Sequence, residues 1–260
     1  RRSYHGVTLG ALSANGIVGL RMPYEPLLPG CRHIAQPECY RCEFGKTYPG
    51  CDIECARALE EQILFEGPET VAAFIAEPVA VSDATVVPVK EYWPMIREIC
   101  TKYGVLLIID EVICGFGRTG KMFASEHWDI AGDMMTFAKQ VTSGYQPLGG
   151  VVATPKVFDA FRGDYGRAFQ HGGTYSGHPT SCAVAIKNIE IIEKEGLVEN
   201  AAKMGEYFLT KLKTLLDFPI VGNVSGIGLL LGLEFVADRA TKQPAPKEVG
   251  AYFWRRCNEE

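Results

Sequence analysis

No stretch of this 260-residue chain holds the ~18 to 20 consecutive apolar residues that a membrane-spanning helix requires. The first residues, Arg1 to Gly6 (RRSYHG), lack the apolar core of a secretory signal. Positive charge is not in excess: 26 Lys and Arg against 31 Asp and Glu leave a net charge of −5. That balance offers no electrostatic footprint for nucleic acid or for an anionic membrane. Internal repeats and low-complexity tracts are also missing. These absences point to a soluble, cytoplasmic protein. What is present is ordinary for a globular chain, with 47% apolar and 22% charged residues. The length suits one large domain or one and a half ordinary ones.

Nine cysteines do not change that expectation. The count is odd, and Cys100, Cys114 and Cys182 sit in apolar stretches, a pattern of reduced thiols rather than a disulfide framework. Four others are close in sequence: Cys39 and Cys42, then Cys51 and Cys55. Such spacing could hold zinc or an iron–sulfur cluster. The first pair suits chelation, and Cys51 and Cys55 are expected on one face of a helix start. One CxxC is a common accident, however, and the second pair is not one. The reading adopted is unliganded thiols packed by Tyr40, Phe44 and Tyr48, with no metal assigned.

Residues 1–50 are rich in Gly, Pro and aromatics and read as loops. Apolar residues at helical spacing predict a helix from Asp52 to Glu66, and another over residues 90–103 with Gly104 as its C-cap. Short apolar runs at 71–76 and 105–109 predict buried strands on either side of the second helix. This is a βαβ unit, which implies a parallel sheet. Gly150–Ala153 is a further strand. Residues 180–216 carry long helical periodicity with possible breaks near Gly196 and Gly205. Beyond Pro219, Ile227–Val236 reads as a strand, followed by a terminal helix from Lys247. The predicted class is α/β, a mostly parallel sheet flanked by helices, with the start of a small C-terminal α+β domain. The expected division is residues 1–187 for the large domain and 188–260 for a linking helix and an incomplete small domain.

Two runs carry the chemistry. Val105–Val112 (VLLIIDEV) is an apolar strand that ends in an acid, Asp110, and Met134–Lys139 (MMTFAK) is one that ends in an amine. Glu77 closes a third strand. Ligands of parallel α/β sheets bind beyond the carboxyl ends of the strands, so these groups would converge on one crevice. Taken singly, a strand-end acid serves equally as a structural ion-pair partner, and Lys139 as a solvated surface lysine. Together, an acid and an amine at neighbouring strand ends are what a pyridoxal phosphate enzyme needs.

At these residues the sequence resembles the class III aminotransferases, pyridoxal-phosphate enzymes of fold type I. The matching pieces are Ser3–Gly6 (SYHG), Ala76–Val79 (AEPV), Ile109–Val112 (IDEV), Gly115–Gly120 (GFGRTG), Phe137–Lys139 (FAK), Thr142–Gly144 (TSG), His171–Pro179 (HGGTYSGHP) and Gly226–Gly232 (GIGLLLG). The resemblance implies that Lys139 is the Schiff-base lysine and the base that moves the substrate's α-proton, its pKa lowered by burial beside the cationic cofactor. It implies that Asp110 pairs with the pyridinium nitrogen and that Val112, two residues on along an extended chain, packs against one face of the ring. Tyr4 would stack on the other face, and Glu77 would support Asp110 or line the pocket. Thr174 would reach the cofactor phosphate from a neighbouring subunit, making the protein a homodimer at least. For Val112, Tyr4 and Thr174 the bland readings are core packing, a loop aromatic and a turn.

Three departures qualify the resemblance. A Gly/Ser phosphate loop ahead of the SYHG run and a carboxylate-clamping arginine from the small domain are both missing, so the chain looks like a fragment. Ser82 stands where the 2-oxoglutarate branch has Glu, and Ile113 where Gln is common, which points to pyruvate as acceptor. Gln140, where Gly is usual, has no reading from sequence. The expected activity is transamination from an amine or amino acid to a keto acid. The alternatives are an epimerase, aminomutase or decarboxylase on the same fold and cofactor, or a non-catalytic metal-binding homologue.

Overall fold

The first fifty residues hold more helix than their composition suggests. In the computed structural model, which describes residues 1–82 and 85–259, α1 (Leu9–Ala14) and α2 (Val18–Arg21) precede a 3-10 turn at Met22–Tyr24. The predicted long elements then follow. Helix α3 (Glu54–Glu66) buries Ala56, Leu59 and Ile63, one stripe at i, i+3, i+7. Strand β1 (Ala73–Ala76) leads through α4 (Tyr92–Tyr103) to β2 (Leu106–Asp110). Helix α4 stops at Gly104, whose φ of +69° is a left-handed position that glycine fills without a Cβ penalty. Val105 N then donates to Cys100 O at 2.9 Å, closing a Schellman-type end.

Strands β3 (Met134–Phe137) and β4 (Gly150–Ala153) complete a four-stranded sheet in the order β1-β2-β3-β4. The first three strands run parallel, and β4 is antiparallel to β3. Alternate residues of β2, Leu107 and Ile109, face the buried side chains of α3 and α4, with Trp93 and Ile96 wholly buried between them. This is the main core. Burying each such side chain contributes about 1.5–3 kcal/mol.

The chain continues through α5 (Pro155–Asp159), α6 (Pro179–Lys194) and α7 (Leu197–Lys213) to a second, three-stranded antiparallel sheet. Its strands are β5 (Val221–Ile227), β6 (Leu230–Asp238) and β7 (Gln243–Pro244), and α8 (Lys247–Glu259) follows. Two readings from sequence are corrected here. Ile227–Val236 is not one strand: the chain reverses at Gly228–Leu229, and β5 pairs with β6 across that turn. The long helical stretch breaks at Gly196, with φ +61°, but not at Gly205. Gly205 is there for contact. A Cβ on it would lie 2.2 Å from Gly228 O, and one on Gly228 would lie 2.3 Å from the Thr119 carbonyl carbon. The Gly115–Gly120 loop, α7 and the β5–β6 turn therefore meet backbone to backbone, and Leu229 N donates to Arg118 O at 2.9 Å. No helix among the described residues is long and apolar enough to cross a membrane.

Candidate active site

Strand register brings the predicted residues to one end of the sheet. Ile109 pairs with Ala76 and Asp110 with Thr136, so Glu77 emerges beside Asp110 and Lys139 lies three residues beyond its partner strand's Thr136. Because β1, β2 and β3 are parallel, their carboxyl ends coincide.

Asp110 is 4% exposed, and a carboxylate so buried needs partners. It has two. Val112 N donates to its Oδ1 at 3.0 Å, and His5 Nδ1 lies 2.6 Å from its Oδ2, with the His5 side chain also buried. A carboxylate only accepts, so Nδ1 is the protonated nitrogen of that bond. About half of the carboxylate's roughly four acceptor sites remain for a ligand.

The loop that carries His5 is itself fixed. Tyr4 N donates to Glu77 Oε1 at 2.9 Å, His5 N donates to the Asn15 side-chain oxygen, and Asn15 Nδ2 donates to Gly6 O at 2.8 Å. Asn15 is wholly buried. Neither His5 nor Asn15 was singled out from sequence. The signal was local: His5 is the side chain of the SYHG run that titrates near neutral pH.

Lys139 sits at φ +43°, a conformation that non-glycine residues seldom adopt and that concentrates at functional sites. Its Nζ lies 5.9 Å from the centroid of the Tyr4 ring. No hydrogen bond or ion pair of this amine occurs among the described residues. In this chain alone the Lys139 side chain is exposed. The backbone behind it is braced by Asn188 of α6, whose Nδ2 donates to Gln140 O at 2.7 Å while its Oδ1 accepts from Ser143 Oγ at 2.7 Å. Gln140 also acquires a reason. With its amide nitrogen donating to Val112 O (3.1 Å) and its oxygen accepting from Arg118 Nε (3.2 Å), it ties the turn after Asp110 to the turn after Lys139. Glycine has no side chain with which to do this.

Val112 is near Asp110 for a different reason from the one expected. Strand β2 ends at Asp110, and the next residues turn. The Asp110 carboxylate bonded to the amide two residues on is an Asx turn, not an extended chain. Glu111 faces elsewhere: wholly buried, it accepts from Ala124 N and Ser125 N at 3.0 and 2.8 Å, holding the far end of its loop. Thr174 is not brought to the crevice within this chain. It lies in an exposed stretch, and no hydrogen bond among the described residues joins it to Asp110 or Lys139.

Glu77 is 7% exposed. Burial pushes its carboxyl above the usual range, and the Tyr4 amide and His5 pull against that. A raised folded-state pKa contributes stability that is fully present below the ordinary carboxylate range and is lost as pH rises through the raised value. Glu77→Gln keeps an acceptor for Tyr4 N, so its thermal stability should lose this pH dependence while staying near that of the parent. Glu77→Ala leaves the amide unpaired and should cost about 1–3 kcal/mol. Melting curves from pH 4 to 8 check this, and equal losses for both variants would contradict it.

The four clustered cysteines line one small cleft with Phe44, Tyr48 and Val89. Cys51 precedes α3 rather than sharing its first turn with Cys55. No group of three or more His, Cys, Asp or Glu among the described residues is arranged to hold a metal ion. A cavity of about 480 Å³ runs along the free edge of β1 and reaches Glu77 and Ser3 at one end. Its lining mixes apolar residues such as Leu59 and Ile63 with Arg1, Arg32, His33 and Glu66, whereas Asp110 and Lys139 are not among the residues that line it.

Comparison with known proteins follows the same residues. The family described as Aminotransferase class-III matches residues 1–256. Taurine–pyruvate aminotransferase of Bilophila wadsworthia is 44% identical over 252 residues, covering 95% of this chain and 55% of that protein. Diaminobutyrate–2-oxoglutarate transaminase of Halomonas elongata is 43% identical over 249 residues, covering 93% and 53%. Among solved structures, a Bacillus anthracis aminotransferase superposes with a TM-score of 0.94 at 39% identity, over 99% of this chain and 58% of that one. An amine transaminase from an uncultivated Pseudomonas species, described as PLP-bound, gives 0.92 at 40% identity, over 96% and 57%. The chain thus spans about half the length of the relatives it matches.

Proposed function

Because the chain belongs to the class-III aminotransferase family, we propose that it works in a pyridoxal-phosphate-dependent transaminase that moves an amino group from an amine or amino acid to a keto acid, with pyruvate as the acceptor. One observation carries the reading: the buried Asp110 carboxylate and the Lys139 amine both adjoin the Tyr4–His5 loop at the ends of neighbouring strands.

The donor set fits the group. A carboxylate held by a histidine, with acceptor capacity to spare, suits a protonated ring nitrogen. An amine with no ion-pair partner among the described residues suits covalent attachment, and the Tyr4 ring offers a flat face. When bound, pyridoxal phosphate supplies an electron-withdrawing ring that takes up the charge released at the substrate's α-carbon. This chain's side chains do the rest. Lys139 would hold the cofactor through Nζ and would be the amine that takes and returns the α-proton. Asp110 keeps the ring nitrogen protonated, and His5 keeps Asp110 turned toward it. Val112 and Tyr4 confine the ring between them, and Thr174 serves the phosphate of the neighbouring subunit in a homodimer. Residues 1–187 form the cofactor domain and 188–260 the linking helix and part of the small domain. The nine cysteines, all free thiols, accord with a reducing, cytoplasmic setting.

Pyruvate is favoured by Ser82, an exposed residue with no carboxylate to pair with a clamping group, and by Ile113 in place of an amide. The test supplies taurine, β-alanine or a simple amine as donor and either pyruvate or 2-oxoglutarate as acceptor. Alanine formation is the expected result. Glutamate in its place would overturn the acceptor assignment, and donor racemisation without either product would favour the epimerase reading.

A further inference from the structure

We propose that Cys39 and a second thiol of the cleft ahead of α3 close into a reversible disulfide, a modification site separate from the Asp110–Lys139 crevice. The arrangement is graded by access. Cys39 is exposed, and Cys42, Cys51 and Cys55 are half-buried behind it around a space of about 20 Å³. Tyr40 and Arg41 form a turn between Cys39 and Cys42. A tight turn holds its end Cα atoms within about 7 Å, close to the ~4.4–6.8 Å that a disulfide spans.

The cleft is also electrostatically poor for thiolates. Burial and the neighbouring thiols push Cys39 up, and burial with Cys39 and Cys51 takes Cys55 to about 11. Cys39 and Cys55 are therefore neutral thiols at ordinary pH, and Cys39, the exposed one, is the thiol that an oxidant in solution reaches. No three donors among the described residues are arranged to hold a metal, so a bond between two sulfurs is the better supported outcome.

The oxidant is a low-molecular-weight disulfide. The Cys39 thiolate attacks one of its sulfurs, breaking the S–S bond and releasing one small thiol. The second cysteine then loses its proton and attacks the Cys39 sulfur, releasing the other small thiol. Two protein thiols and one small disulfide become one protein disulfide and two small thiols, with no further reductant or oxidant. Such bonds in a reducing compartment are transient and redox-sensing rather than structural.

The bond would also be felt at a distance. The two residues between Cys39 and Cys42 are those that dock on the second sheet. Arg41 Nε is 2.7 Å from Glu234 Oε2 of β6, Arg41 Nη1 donates to Lys242 O at 2.5 Å, and Lys242 Nζ donates to Tyr40 O at 2.5 Å while lying 4.9 Å from the Tyr40 ring centroid. Closing the cleft pulls on this anchor.

The purified protein is equilibrated with oxidised glutathione over a fixed background of reduced glutathione, alkylated, and mapped by mass spectrometry. Two thiols should become resistant to alkylation, with loss of the mass of two hydrogens. One should be Cys39 and the other Cys42, Cys51 or Cys55, and dithiothreitol should restore both. Cys39→Ser should abolish the change, and Cys257→Ser, at an exposed position on α8, should leave it intact. The proposal is overturned if all four cleft thiols stay alkylatable, if Cys39 stops at a mixed disulfide, if the bond leaves Cys39 out, or if the protein carries one zinc per chain that blocks oxidation.

Discussion

Under the proposed function, Lys139→Ala should abolish transamination and with it the visible absorbance of the lysine-bound cofactor. The loss should be about 10⁴-fold or more, because proton transfer by a positioned side chain is worth ~10²–10⁴ by itself and covalent attachment is removed as well. Lys139→Arg should fail equally, since a guanidinium is always charged and has no free amine to offer. Lys139 is exposed and its side chain has no hydrogen bond or ion pair among the described residues. Neither variant should therefore change thermal stability by more than about 0.5 kcal/mol, the usual range for a surface position. Its left-handed φ is tolerated by alanine no worse than by lysine. An unchanged absorbance band in Lys139→Ala would sink the assignment outright.

Asp110→Asn should lower kcat by about 10²–10³, comparable to removing one preorganised electrostatic partner of a developing charge. Asparagine keeps an oxygen for Val112 N, so the turn after β2 survives. What it lacks is the charge proposed to hold a proton on the ring nitrogen. Its amide also presents a donor to His5 Nδ1, which must then change tautomer to accept. The expected signature is a fall in kcat with cofactor still bound. His5→Ala, which leaves the carboxylate in place but unsteered, should cost less and shift the pH–rate profile. Wild-type kcat in Asp110→Asn would refute the role given to that carboxylate.

Much of the arrangement was legible because strand-forming runs declare their own ends. The apolar runs around Ile75, Ile108 and Met135 each terminate in the residues that then emerge together. Glycine at 104 marked its helix end for a reason of backbone chemistry that needs no tertiary information. Gly205 misled for the complementary reason. From sequence it reads as a weak point in a helix, whereas its lack of a Cβ answers a chain segment more than twenty residues away. The β5–β6 turn was lost because Gly228, its turn residue at φ +55°, sits inside an apolar run with no polar residue beside it.

By itself the sequence determined the parallel α/β core and the two side chains, Asp110 and Lys139, at the ends of its strands, while the order of the strands and the antiparallel β4 came with the tertiary structure. Local periodicity and the one-dimensional spacing of charge suffice for that. Tertiary structure alone decided that His5 and Asn15, far away in the chain, would hold the Asp110 end of the crevice, and that Gln140 and Asn188 would brace the Lys139 end. Those contacts join residues as many as 105 positions apart. No local pattern encodes such pairings, because each is set by strand register and by the need of a buried polar group for a partner.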